Sequence, residues 1–272
     1  MSAMPARHRR ALHLHLYLSL FLAAVLCGCA TARPELAHVR ALAAGTDALS
    51  AFSELSQRHV DSYQRARPYL SPAEDARERL LDAQRRAAQG DAARLVQAVR
   101  LYLQALGRLA DADAYDVRPE LAGAGAAIRT WPDSGIDDHH VSAYTQLLQQ
   151  LSRLSSAASQ QAHLAQVLHD GDAPLQALLA ALDSLLALYD KSGDNERNMV
   201  LGLLDVEIAY ADTPQQRLLA VLAKNMQQSK TEEYRLAGLR HTLARRQLAA
   251  LGREHARLAA TLTTTEAQWT DR

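Results

Sequence analysis

The chain has 272 residues, with 30 Lys and Arg against 30 Asp and Glu and a formal net charge of zero. It has no concentrated basic face of the kind nucleic-acid binding requires, and its neutrality gives no strong draw toward anionic lipid. Ala, Leu, Gln, Arg and Glu dominate, all good helix formers, and no segment alternates with period two long enough to make a strand, so an all-α fold is expected.

The N-terminal segment carries Arg7, Arg9 and Arg10, then an apolar run from Leu12 to Leu26, then Leu26-Cys27-Gly28-Cys29. His13, His15 and Ser19 interrupt the run, which falls short of the roughly 20 apolar residues that span a bilayer. Charge, apolar stretch and small residues in that order read as a secretory signal over residues 1–28. The final four residues resemble the lipobox of bacterial lipoproteins. That resemblance implies cleavage before Cys29, a diacylglycerol on its thiol and an acyl chain on its new amino group. Ala30 rather than Asp follows the cysteine, which by the same resemblance points to the outer membrane, periplasmic face. Cys27 would leave with the signal, so the mature chain would have no free thiol for a disulfide, a metal or a nucleophile. Its charge would then be 27 basic against 30 acidic residues.

Residues 29–34 read as a lipidated tether, and 35–272 as a helical bundle in which 112–212 is a candidate second lobe. A first long helix is expected from about Glu35 to Arg67, with Leu42, Leu49, Phe52, Val60 and Tyr63 on its buried stripe and Pro68 as its stop. Ser71-Pro72-Ala73-Glu74 combines an N-cap, a Pro at the first helical position and a capping-box Glu. The helix it starts is expected to reach Gln89 and end at Gly90, or to bend there and continue. Asp91 then caps a third helix, whose Leu95, Val99, Tyr102, Leu106 and Leu109 keep a 4-3-4-3 spacing. The pattern weakens from Ala112 to His140, where Trp131-Pro132-Asp133-Ser134-Gly135 is the clearest loop.

A fourth helix begins near Asp138 with Val141, Tyr144, Leu148 and Leu151, and a fifth at Asp172 or Ala173, its stripe running from Leu175 to Tyr189. Ser192-Gly193-Asp194 is expected to break it before a shorter helix over 195–211. Thr213-Pro214 restarts the chain into its longest helix, from Pro214 to about Gln268, with one apolar stripe through Leu219, Leu222, Met226, Leu236, Leu239, Leu243, Leu248, Leu251, Leu258 and Leu262. The expected architecture is an elongated antiparallel bundle with long, coiled-coil-like first and last helices paired along their length.

Asp137-Asp138-His139-His140 is the strongest candidate for a metal. Its letters are similar to those of the DHH phosphoesterases, but the further Asp and His motifs of that family are missing, and an Asp N-cap followed by exposed His is the simpler reading. Asp190 to Asn195 lacks the Gly and Glu of a calcium loop. His-Glu-x-x-His, Gly-x-Ser-x-Gly and phosphate-loop patterns do not occur. No catalytic, cofactor or metal residue is therefore assigned. The expectation is a non-enzymatic lipoprotein: a scaffold, adaptor or interaction partner in an envelope complex, anchored through Cys29 and joined to an envelope protein or to itself. The alternative is a bundle that binds a small ligand or a metal, with the loop from Trp131 to His140 near its mouth.

Overall fold

In the computed structural model the described residues are 34–111, 121, 127–154, 164–210, 213, 214 and 216–270. Cys29 and the signal segment lie outside them. The helices in chain order are α1 (Pro34–Ala44), α2 (Asp47–Val60), α3 (Ser62–Ala66), α4 (Pro72–Ala110), α5 (Asp138–Leu154), α6 (Leu164–Tyr210) and α7 (Arg217–Thr270). Short 3-10 turns occupy Arg67–Tyr69 and Pro132–Ser134, and the only extended pairing among the described residues is an isolated bridge between Trp131 and Ile136. The protein is an all-α helical bundle.

Its backbone is the α6–α7 hairpin. Partners descend along α6 as they ascend along α7: Glu196 meets Tyr234, Asp183 meets Arg245, Gln176 meets the Gly252 carbonyl, and Asp172 meets His255. At 1.5 Å per residue α7 is about 80 Å long. Helices α1, α2, α4 and α5 pack against this hairpin, and one apolar core takes residues from all of them, from Val39 through Leu106, Ile128 and Leu147 to Leu182 and Leu258. Helix α6 is long and apolar enough to cross a membrane, but its apolar residues, Leu168, Leu175, Leu178, Leu182 and Leu186, form the centre of this core.

The capping box at Ser71 forms as the sequence predicts, with Glu74 N–H donating to Ser71 Oγ and Ser71 N–H donating to Glu74 at 2.9 Å. The expected first-helix stripe is buried at every named position. Elsewhere the segmentation differs. The first helix is divided at Gly45–Thr46 and at Asp61, where the backbone sits near ψ 0 and 4° instead of the helical value. These bends let a chain too short to follow α7 wrap the bundle, and α1 packs on α4 with Arg40 paired to Asp111. The main partner of α7 is therefore α6 rather than the first helix.

Gly90 neither caps nor breaks α4. The buried face continues through it from Asp91 and Ala92 to Leu109, and packing outweighs the roughly 1 kcal/mol that an interior Gly costs. Asp91 is correspondingly a buried acceptor rather than a cap. The same holds at Gly193, where α6 runs on as one helix because Glu196, a turn later, is locked into the core. The fifth helix, expected to begin at Asp172 or Ala173, starts earlier, at Leu164, and Gly171 inside it is a close contact, since any Cβ there would clash with the Tyr102 hydroxyl.

Candidate functional site

Three places in the bundle carry more polar or exposed chemistry than packing alone demands. The first is the loop from Trp131 to His140. Trp131 and Ile136 exchange backbone hydrogen bonds, Trp131 N–H to Ile136 O at 2.8 Å and Ile136 N–H to Trp131 O at 3.2 Å. Gly135 closes the turn at φ 77, a left-handed conformation that favours glycine, with Ser184 Cβ only 3.3 Å from where its own Cβ would be. The Trp131 indole N–H donates to the buried Asp91 carboxylate at 2.8 Å, and the Arg129 guanidinium lies 5.1 Å over the ring. So fixed, the loop forms one wall of a cavity of about 530 Å³, whose other walls are α2, α4 and α6. That size falls in the range of sites for drug-sized ligands.

His59 and Tyr189 stack at 4.3 Å and separate this cavity from a second one of about 270 Å³ beside Arg65 and His241. His59 Nδ1, Ser62 Oγ, Arg85 Nε and His241 Nδ1 are buried in this zone with no hydrogen-bond partner. Burial, reinforced by the nearby Arg85 and Arg65, depresses the His59 pKa to about 3. The imidazole is thus neutral and cannot carry protons near pH 7. Burial likewise raises the Tyr189 phenol.

The second place is the ion cluster where α3 meets the hairpin. Arg65 grips Glu196 with two parallel bonds, Nε to Oε1 at 3.0 Å and Nη2 to Oε2 at 2.8 Å, while the Tyr234 hydroxyl donates to Oε1 at 3.1 Å. Arg65 also holds the Arg58 carbonyl at 2.7 Å. All of the Glu196 lone pairs that matter are met, so the cluster works as a clasp. A similar array lies near α1, where His255 Nδ1 is 2.8 Å from Asp172 and Nε2 is 2.8 Å from the Tyr102 hydroxyl. Its order of carboxylate, imidazole and hydroxyl resembles a catalytic relay, but His255 and Tyr102 are both 0% exposed. Burial lowers the His255 pKa despite Asp172 and raises the Tyr102 pKa well above its usual range. This array cements α4 between the arms of the hairpin.

Of the sequence candidates, Asp137 caps α5: His140 N–H donates to Asp137 Oδ1, and His140 Nδ1 lies 2.7 Å from the same oxygen. His140 is buried rather than exposed, and only His139 faces solvent. Among the described residues no three His, Cys, Asp or Glu side chains converge as metal ligands. His59, Arg65, Arg85 and Glu196 could not be singled out in the sequence because four separate helices bring them together, and none lies in a motif.

The third place is the free end of the hairpin. Leu203, Val206 and Tyr210 on α6 and Leu218, Leu219, Val221, Leu222 and Met226 on α7 are all exposed, Tyr210 at 77% and Leu218 at 69%. Further along α7, Leu236, Leu239 and Leu243 are about half exposed, whereas Leu248, Leu251 and Leu258 are buried. The single stripe expected from the sequence is therefore two, on different faces. The buried one runs through Tyr234, His241, Ala244, Leu248, Leu251, His255 and Leu258.

Fold and surface together define an elongated helical bundle sealed at one end and apolar at the other. No protein-family model matches this chain, and no curated protein or solved structure is similar to it.

Proposed function

We propose that this protein is a lipid-anchored lipoprotein of the outer membrane, facing the periplasm, and that it works as a non-enzymatic scaffold or adaptor in an envelope complex. The observation that carries the reading is the exposed apolar end of the α6–α7 hairpin. Monomeric soluble proteins seldom show contiguous apolar patches of this kind unless something binds there. Its position supports the same view. Pro34, five residues after Cys29, begins the helix that packs near Asp111 and His255, so the apolar end lies roughly 50 Å along α7 from the anchored end. A patch held that far from its own membrane is placed to meet another protein.

The test is a photocrosslinking residue at Leu219 in the full-length chain, expressed in bacteria beside a Cys29→Ser form. The expected result is a discrete adduct from the membrane fraction, lost when Cys29→Ser sends the folded chain to the soluble periplasm. A wild-type chain that fractionates as soluble, or an irradiated one that gives no adduct, would overturn the proposal.

The second reading is a small-ligand binder, favoured by the 530 Å³ cavity behind Trp131 and the partnerless polar atoms beside it. Native mass spectrometry of the purified full-length protein checks it. A bound mass lost in a Leu95→Trp variant supports it, and a bare protein in both overturns it.

A further inference from the structure

The exposed residues of α7 are not scattered. Leu218, Leu222, Asn225, Ser229, Glu232, Leu236, Leu239 and Leu243 follow one another at spacings of 4-3-4-3-4-3-4, and every one of them is exposed. The five leucines are between 48% and 69% exposed. This is a heptad seam, apolar at both ends and polar in the middle, and it lies on the side of α7 away from the buried seam of Tyr234, His241, Ala244 and Leu248. A helix face left to water needs no such line of large apolar side chains, and five exposed leucines on one stripe are what a partner helix would cover.

We infer that this seam pairs with the same seam of a second copy, forming a parallel, in-register coiled coil between two α7 helices. The inference rests on the anchored-adaptor reading and names its partner. Two chains tethered through Cys29 in one membrane stand with their α7 helices pointing the same way, and the seam occupies the stretch from about 20 to 55 Å beyond His255. Parallel in-register pairing sets each Leu layer against its own copy, Leu218 on Leu218 through Leu243 on Leu243. It also stacks Asn225 on Asn225, where the two side-chain amides can each donate and accept across the seam. The charge of Glu232 is met within its own chain by Arg235 at 2.9 Å. The contact is self-complementary, as a two-fold interface must be. Shared tethering raises the effective concentration of one seam at the other.

The experiment uses the full-length protein in bacterial membranes, with one cysteine introduced at a time. Leu222→Cys and Leu239→Cys are compared with Arg197→Cys on α6 and with wild type after mild oxidation. A disulfide dimer from most of the chain at both seam positions, and none from Arg197→Cys or wild type, is the expected result. Adding Leu236→Glu and Leu243→Glu to the Leu222→Cys chain should cut the dimer at least tenfold.

Membrane-bound protein that gives no dimer at either seam position overturns the pairing and leaves the adaptor reading intact. So does a disulfide adduct of another mass, which means a different partner. A dimer only when Leu222→Cys and Leu239→Cys are co-expressed means antiparallel helices and overturns the parallel register. A dimer from wild type itself means a free thiol at Cys27 or Cys29, hence a chain neither cleaved nor lipidated, and overturns the lipid anchor on which the inference stands.

Discussion

Near α1, the α6–α7 hairpin is sealed: Leu168, Leu175, Leu178 and Leu182 are fully buried, His255 is held by Asp172 and Tyr102, and the Tyr102 hydroxyl fills the space that any side chain at Gly171 would need. Beyond Glu196 the same two helices carry only a small core of Val200, Leu204 and Tyr234, and most of their large apolar residues face solvent. The hydrophobicity of the two ends is similar in the sequence. What differs is how far other helices surround them, since α1, α4 and α5 enclose one end, whereas α3, the Arg67–Tyr69 turn, Arg58 of α2 and the start of α4 meet the other near its base. Hydrophobic residues are therefore a measure of core only where other elements supply the second surface.

The largest effects should come from breaking the sealed end and its clasp. Leu182→Ala leaves a cavity among fully buried neighbours and should cost about 2–5 kcal/mol in chemical denaturation. Glu196→Ala strips the partner from the largely buried Arg65 and should cost about 3–5 kcal/mol. Either loss below 1 kcal/mol would mean that the core or the clasp is loosely packed.

Acid should act on the sealed and middle parts and spare the free end. His59, His241 and His255 all have folded pKa values below the ordinary 6.5, chiefly through burial, His59 at about 3. Protonation then favours the unfolded chain, which holds the higher pKa. The stability they contribute is present above about pH 6.5 and is lost as pH falls from there toward 3. A melting temperature that drops between pH 7 and pH 5, less steeply in His59→Gln, is the expected observation. A flat profile in wild type would contradict the burial of these rings.

Smaller effects are expected where the hairpin is thinly covered. Gly193→Ala meets nothing within 4 Å and should stabilise α6 by about 0.5–1 kcal/mol. Leu222→Ser should change the stability of the folded chain by no more than about 0.5 kcal/mol, an order below Leu182→Ala. A large loss from Leu222→Ser in dilute, detergent-solubilised protein would show that the free end is already covered there.

Helix content, the capping box at Ser71, the loop at Trp131 and the stripes of α2, α4 and α5 could all be read from local patterns, because each depends on residues within a turn or two. The glycines could not. Gly90, Gly171 and Gly193 look alike in sequence, and helices pass through all three because residues on either side, such as Asp91 and Ala92, Leu168 and Leu175, and Tyr189 and Glu196, are buried against other elements. The two α7 stripes look like one in the sequence for a related reason. Leu243 and Leu248 are both leucines near a heptad step, and which face each occupies is decided by α6. The cavity was legible only through its loop, since His59, Arg85 and Tyr189 are separated by long stretches of chain and share no motif.

The clasp also fixes an order in time. Residues of α2 and α3 leave the ribosome early, yet Phe52 packs on Tyr189, Arg58 pairs with Glu233 and Arg65 with Glu196. None of those partners exists until the last third of the chain has been made. The N-terminal helices can pack on α4 as it is made, but must wait for the hairpin before the rest of their apolar faces are covered. Under the lipoprotein reading proposed above, that delay keeps the chain unfolded while it is threaded across the membrane.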